Sequence, residues 1–202
     1  MTSSADPRSG TTNAASSLTL GGTVNGAFAL TPVGAGTVAL NGVVGGTTPL
    51  ASLSQGATVP LRIGTNSVTT TGAQAYAGPL TLASDVTLRS TANGVITLAN
   101  VTGAGFDINA MTGGATTLNN LSGVDAVTTD APGSVTLNGN VLASTVTIGE
   151  AAPSVCGQVG NGGGAVSFAG AVSLCGTTAV SATDAQFNGA SDSDAGGARS
   201  LT

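Results

Sequence analysis

The chain has 202 residues and a formal net charge of -5; only 6% of its residues are charged and 2% aromatic, and it contains no His, Trp or Lys. A typical soluble domain is about 25% charged, and a conventional disordered chain combines high net charge with low hydrophobicity, so neither description fits. Four scattered arginines, Arg8, Arg62, Arg89 and Arg199, exclude a basic nucleic-acid footprint, and no apolar run approaches the ~18 residues that cross a bilayer as a helix.

Residues 1–16 are small and polar for the most part, rich in Ser and Thr with Asp6 and Pro7, and have no periodicity, the pattern of a disordered lead-in. The first thirty residues lack a cationic start followed by an apolar core, so no signal peptide is expected. From Leu18 onward, short apolar alternations recur. They include Leu18-Thr19-Leu20, Val38-Ala39-Leu40, Leu80-Thr81-Leu82, Ile96-Thr97-Leu98, Thr116 to Leu118, Val135-Thr136-Leu137, Val146-Thr147-Ile148 and Val166-Ser167-Phe168. Apolar-polar-apolar is period 2, two side chains inward and one outward. Small and β-branched residues punctuated by Gly and Asn read as short strands and tight turns, and no window has a helical period.

The chain also repeats itself. Leu18 to Leu40, LTLGGTVNGAFALTPVGAGTVAL, shifted by 78 positions falls without a gap on Ile96 to Leu118, ITLANVTGAGFDINAMTGGATTL. A third copy starts near Phe187, which divides residues 17–202 into copies at 18–95, 96–184 and 185–202. Within the copies, apolar residues recur about every 20 positions. One column runs Leu20, Leu40, Leu61, Leu82, Leu98, Leu118, Leu137, Cys156, Cys175, with one short step between Leu82 and Leu98. A second runs Leu30, Leu50, Val68, Leu88, Ile108, Val127, Ile148, Phe168, Phe187. Coils of ~20 residues stacked ~4.8 Å apart satisfy both columns. The expected fold is all-β, a β-solenoid whose coils shelter one another's apolar side chains.

Asn41, Asn119, Asn138 and Asn188 stand straight after strands, where a sharp corner tolerates Asn or needs Gly. Asn119 and Asn138 are one coil apart, a spacing that lets their amides stack. Cys156 and Cys175 are also one coil apart, which puts their Cα atoms near 5 Å, within disulfide range; the alternative is two buried thiols acting as small hydrophobes. No metal set accompanies them, and no cofactor is expected. Gly160 to Gly164 lacks the Asp of a calcium-binding repeat and the Lys-Ser/Thr of a phosphate loop. Asp125 with Asp130, and Asp192 with Asp194, are the candidate carboxylate pairs for glycosidic chemistry, which wants two such groups about 5 to 10 Å apart; solvated turn residues are the simpler reading. Thr69-x-Thr71 and Thr145-x-Thr147 are the pairs an ice-binding face would need, although most strands carry one Thr.

The phrases GGTTPLASL (45–53), SVTTTGAQAYAGPLTLASDVTLRSTANGVITL (67–98) and SDAGGARSLT (193–202) resemble repeats of filamentous-haemagglutinin-like bacterial exoproteins. That resemblance covers most of 18–202. It implies a right-handed parallel β-helix, as does the general hand of parallel crossovers, in a secreted or surface-attached shaft. An extracellular location would favour the Cys156–Cys175 bond. No counterpart of the secretion domain that opens such proteins is visible, and Thr202 falls inside what reads as a fresh repeat, so a fragment or a truncated reading frame is the expectation. The expected function is therefore a structural, non-catalytic shaft segment of an adhesin-like exoprotein. Its expected partners are an unidentified host-surface or cell-surface ligand and further chains at the open coil ends, 18–22 and 187–202, with no nucleic acid and no membrane insertion. A β-helix polysaccharide-binding or polysaccharide-cleaving protein and an ice-binding solenoid are the alternatives.

Overall fold

A computed structural model of the chain describes residues 8–12, 17–130, 133–150, 152–161, 163–175, 178–189 and 191–193, with backbone alone for the first and last of these segments. The described residues contain strands and no helix, and twenty-one strands form one continuous sheet. Neighbouring strands run parallel throughout. The sheet winds as a β-solenoid.

Alternation explains why each segment takes its place. In the strand Ile96–Thr102, Ile96, Leu98 and Val101 are buried while Thr97 and Asn100 point outward. A strand with one dry side needs such a pattern, and shifting it by one residue would turn every apolar group to solvent. Each coil passes three faces in turn. On the first, Leu98 pairs with Leu118 and Leu118 with Leu137. On the second, Leu18, Val38, Leu61 and Leu80 stack, continuing through Val101, Leu121, Val141, Val159 and Val180. On the third, Ile108 pairs with Val127, and Ile148, Phe168 and Phe187 follow one another. The Phe168 and Phe187 rings stack with centroids 5.2 Å apart. Coil length is not constant: Leu30 to Leu53 is a long coil and Thr136 to Ser154 a short one.

The two columns expected from the sequence therefore need correction where they cross coils of unequal length. Leu40 stands against Ile63, not Leu61, and Leu61 against Leu80, not Leu82. The short step from Leu82 to Leu98 is no coil at all, because Leu82 lies on the second face and Leu98 on the first. Likewise Leu30 pairs with Leu53, while Leu50 bridges Thr70. The column that ends Leu98, Leu118, Leu137 continues through Val155 and Leu174. Cys156 and Cys175, each one residue further on, sit on the opposite side of the strand and are only half-buried.

The 78-residue self-similarity is out of phase with the coils. Leu18 belongs to the second face, and its match Ile96 belongs to the first. Four coils carry Leu18 to Val101, so a shift of 78 stops about a quarter of a coil early. The lead-in also contributes: Arg8–Thr12 forms a strand paired with Ala29–Gly34, while the rest of 1–16 lies outside the described residues.

The core is largely aliphatic, and a hydrogen-bonded polar group interrupts it around Gln74. There Gln74 is fully buried and its amide nitrogen reaches the Val68 carbonyl at 3.1 Å, the Thr70 hydroxyl at 3.2 Å and the Arg89 carbonyl at 2.8 Å. Its carbonyl oxygen accepts the Tyr76 hydroxyl at 2.8 Å. Burial holds the Tyr76 phenol well above its usual range, so it serves as a neutral donor. At the corner after the third face, backbones of successive coils nearly touch: a Cβ on Gly94 would lie 2.2 Å from the Gly72 carbonyl carbon. Only glycine permits that approach.

Candidate functional surface

With the interior filled, function falls to the outer rows and corners. Cys156 and Cys175 are bonded, with Cα atoms 5.0 Å apart and a sequence separation of 19. Their backbone N–H groups donate to Leu137 and Val155, so the clip lies directly over a continuing ladder. It joins consecutive coils from outside, at the turn between the first and second faces.

The four turn asparagines divide. Asn41 accepts a hydrogen bond from the Arg62 guanidinium of the next coil at 3.2 Å. The Asn119 amide donates to the Leu98 carbonyl below it at 3.1 Å instead of stacking on Asn138. Asn138 and Asn188 are exposed, and their backbone N–H groups donate to the carbonyls of Leu118 and Phe168. The side-chain ladder that does run between coils begins two residues later than the Asn138 row. Asn120 Oδ1 accepts the N–H of Asn140 at 3.4 Å, and Asn140 Oδ1 accepts the N–H of Gln158 at 3.1 Å. Beneath this ladder, Asn100 pairs with Asn120. The signal was present as Asn100, Asn120 and Asn140 at an even spacing, but a search centred on Asn-Gly corners passes over it.

Carboxylates on the third face are used in the same way. Asp85 Oδ1 accepts the Asp107 N–H at 3.0 Å, and Asp107 Oδ1 accepts the Ala126 N–H at 2.9 Å. These two acids, with Asn66, Thr87 and Asn109, line an open groove of about 360 Å³. Asp130 Oδ1 takes the N–H of Thr112 at 2.8 Å. Asp125 and Asp130 are separated by extended chain, roughly 16 Å along the strand, well beyond the spacing of a glycosidase pair. The side chains of Asp192 and Asp194 lie outside the described residues.

Thr145 and Thr147 point outward on the third face, between Ala126 with Thr128 on one side and Ala165 with Ser167 on the other. Thr69 stacks on Arg89. The Thr pairs are thus not repeated from coil to coil.

One carboxylic acid missed by the sequence reading is buried. Glu150 is 1% exposed, and its Oε2 accepts the Thr129 hydroxyl at 2.7 Å. Desolvation pushes its carboxyl above the usual range, only partly offset by the bonds from Thr129 and from its own backbone N–H, and Asp130 adds to the rise. Nothing in its local sequence, Ile148-Gly149-Glu150, marks it out from a solvated turn acid. No group of three or more His, Cys, Asp or Glu able to hold a metal ion occurs among the described residues.

No protein-family model, curated protein or solved structure matches the chain.

Proposed function

We propose that the chain is a structural shaft segment of a secreted or surface-attached adhesin-like exoprotein. The observation that carries this reading is the conversion of outward polar groups into couplings between coils. Asn120, Asn140, Asp85 and Asp107 each give an oxygen to a backbone N–H of the coil above. A side chain held in this way stiffens a rod. The first face carries ten strand segments in succession, or a sheet about 43 Å long at ~4.8 Å per step. Such a rod would hold loops or a distal domain away from a surface, and its terminal coils would join to further chains through their sheet edges.

The location rests on the half-exposed disulfide, a bond that persists in oxidising compartments and is uncommon in the cytosol of mesophiles, and on the resemblance of 45–53, 67–98 and 193–202 to exoprotein repeats. The test is immunolabelling of intact source cells beside permeabilised ones, together with a screen for polysaccharide binding and turnover. Labelling of intact cells without turnover is expected. Labelling only after permeabilisation would overturn the location, and turnover lost on Asp125→Asn would replace the shaft by an enzyme.

A further inference from the structure

We propose that Glu150 is a proton-controlled latch: with a neutral carboxyl the corner that follows Val141–Ile148 is closed, and ionisation opens it and loosens the coil stacked above. This does not depend on the shaft reading.

Thr70 pairs with Ser90, and one further residue of the next ladder continues that inner corner row to Thr112, two residues past Ala110; Glu150 stands equally two residues past Ile148, in the column that Ala110, Thr129 and Ile148 share. The lower members are neutral, buried and satisfied locally. Thr70 donates to the Gly72 carbonyl at 2.6 Å, Ser90 accepts the Gly94 N–H at 2.8 Å, and Thr112 donates to the Gly94 carbonyl at 2.6 Å. Glu150 places an acid in this row. Its one side-chain donor is Thr129, from the coil beneath, and that residue is 2% exposed.

Among the described residues no cation answers it. The coil beneath presents Asp130, of like charge, while Asp107 and Asp125 stand at the far end of the same face. The coil above presents Gly170, because Ile148 pairs with Phe168. Between Asp130 and Asp184 the sequence has no ionisable side chain other than Glu150 and the two bonded cysteines. An ionised Glu150 has only the Thr129 hydroxyl and its own backbone N–H to set against its burial, and the nearest relief is to swing the corner toward water.

The sign follows from the raised carboxyl. The closed corner holds its proton more tightly than the open one, so the stability it lends is complete below the ordinary value of 4.5 and is lost as pH rises through the closed-state value. The coil above reports this directly: Ala169, Ser173 and Cys175 donate to the carbonyls of Ile148, Pro153 and Val155, on both sides of the corner.

The experiment is a carbon-detected NMR titration of the Glu150 carboxyl, run with amide exchange at Ala169, Ser173 and Cys175 corrected for intrinsic rates. A midpoint above 4.5 is expected, with protection falling as pH rises, about tenfold for each unit separating closed from open midpoints. Glu150→Gln keeps an acceptor for Thr129 and removes the charge, and should leave protection flat with pH. A midpoint at or below 4.5, or Glu150→Gln following the wild-type curve, overturns the proposal. Should Glu150→Gln fail to fold, Thr129→Val decides: loss of the hydroxyl should move the midpoint and the protection break to higher pH, and an unmoved break also overturns it.

Discussion

Removing the Cys156–Cys175 bond should loosen one end of the rod and leave the middle untouched. The perturbation is the double substitution Cys156→Ser/Cys175→Ser, which avoids a lone thiol, or reduction of the wild type. Closing a loop of 19 residues lowers the entropy of the opened chain by an amount worth about 3 kcal/mol. The coil it secures has little else: its ladders to the coil below run through the two-residue strands Ser154–Val155 and Gln158–Val159 and the four residues of Ala165–Phe168. In the middle of the rod, by contrast, Ala115–Thr129 alone is a fifteen-residue strand. In a stack where each coil touches only its neighbours, the loss stays local. Amides of Gly160, Ala169 and Ser181 should exchange on the order of 10²-fold faster, as ~3 kcal/mol implies, while those of Leu53, Gln74 and Leu121 should not change. Exchange by mass spectrometry with and without reductant reads both. Equal acceleration along the whole chain would show that the coils do not open separately, and no acceleration anywhere would show that packing alone holds the terminal coils.

Gln74→Leu should cost about 2 kcal/mol or more in urea unfolding, because it leaves the buried Tyr76 hydroxyl without an acceptor; adding Tyr76→Phe should recover part of that, and a double variant as unstable as the sum of the two singles would refute the coupling. Gly94→Ala should destabilise by about 1–3 kcal/mol, since the new Cβ meets the Gly72 backbone, whereas Gly21→Ala, with nothing within 4 Å, should stay within about 0.5 kcal/mol. Equal effects of the two alanines on the urea midpoint would contradict the stacking at that corner.

Strand type, parallel stacking and coil size were legible because they rest on a short-range rule. Alternation in Ile96-Thr97-Leu98 and its echo in Thr116 to Leu118 and Val135-Thr136-Leu137 follow from side chains facing opposite ways on a pleated strand. Phase was legible only where coils are of equal length. Between Leu98 and Leu137 the steps are even and the expected partners are the observed ones. Across the longer early coils the count slips by two, from Leu61 to Ile63, which preserves inward direction and so escapes notice in the pattern. The slip by one at Cys156 is of another kind, since it reverses direction: Val155 fills the core and the cysteine faces out. Glu150 was illegible because its burial depends on which residues lie above and below it, and single-letter context does not carry that.

The failure of the 78-residue repeat to coincide with whole coils explains why it exists at all. Each face uses the same word, a short apolar alternation closed by a corner of small residues, because each face meets the same requirement: one dry side, one wet side and a tight bend. Leu18-Thr19-Leu20 on the second face and Ile96-Thr97-Leu98 on the first are therefore interchangeable in sequence without being equivalent in space. What distinguishes positions along the rod is not the word but the exceptions to it. The outward cysteines belong to that class. Facing out and half-buried, they add little apolar burial, so what they lend the fold is the covalent link itself. A link of that kind exists only while oxidised, so the terminal coils are as stable as the compartment is oxidising. That dependence joins the secreted reading to a single half-exposed bond: in a reducing compartment the sequence would keep two half-buried thiols and lose the clip where its strands are shortest.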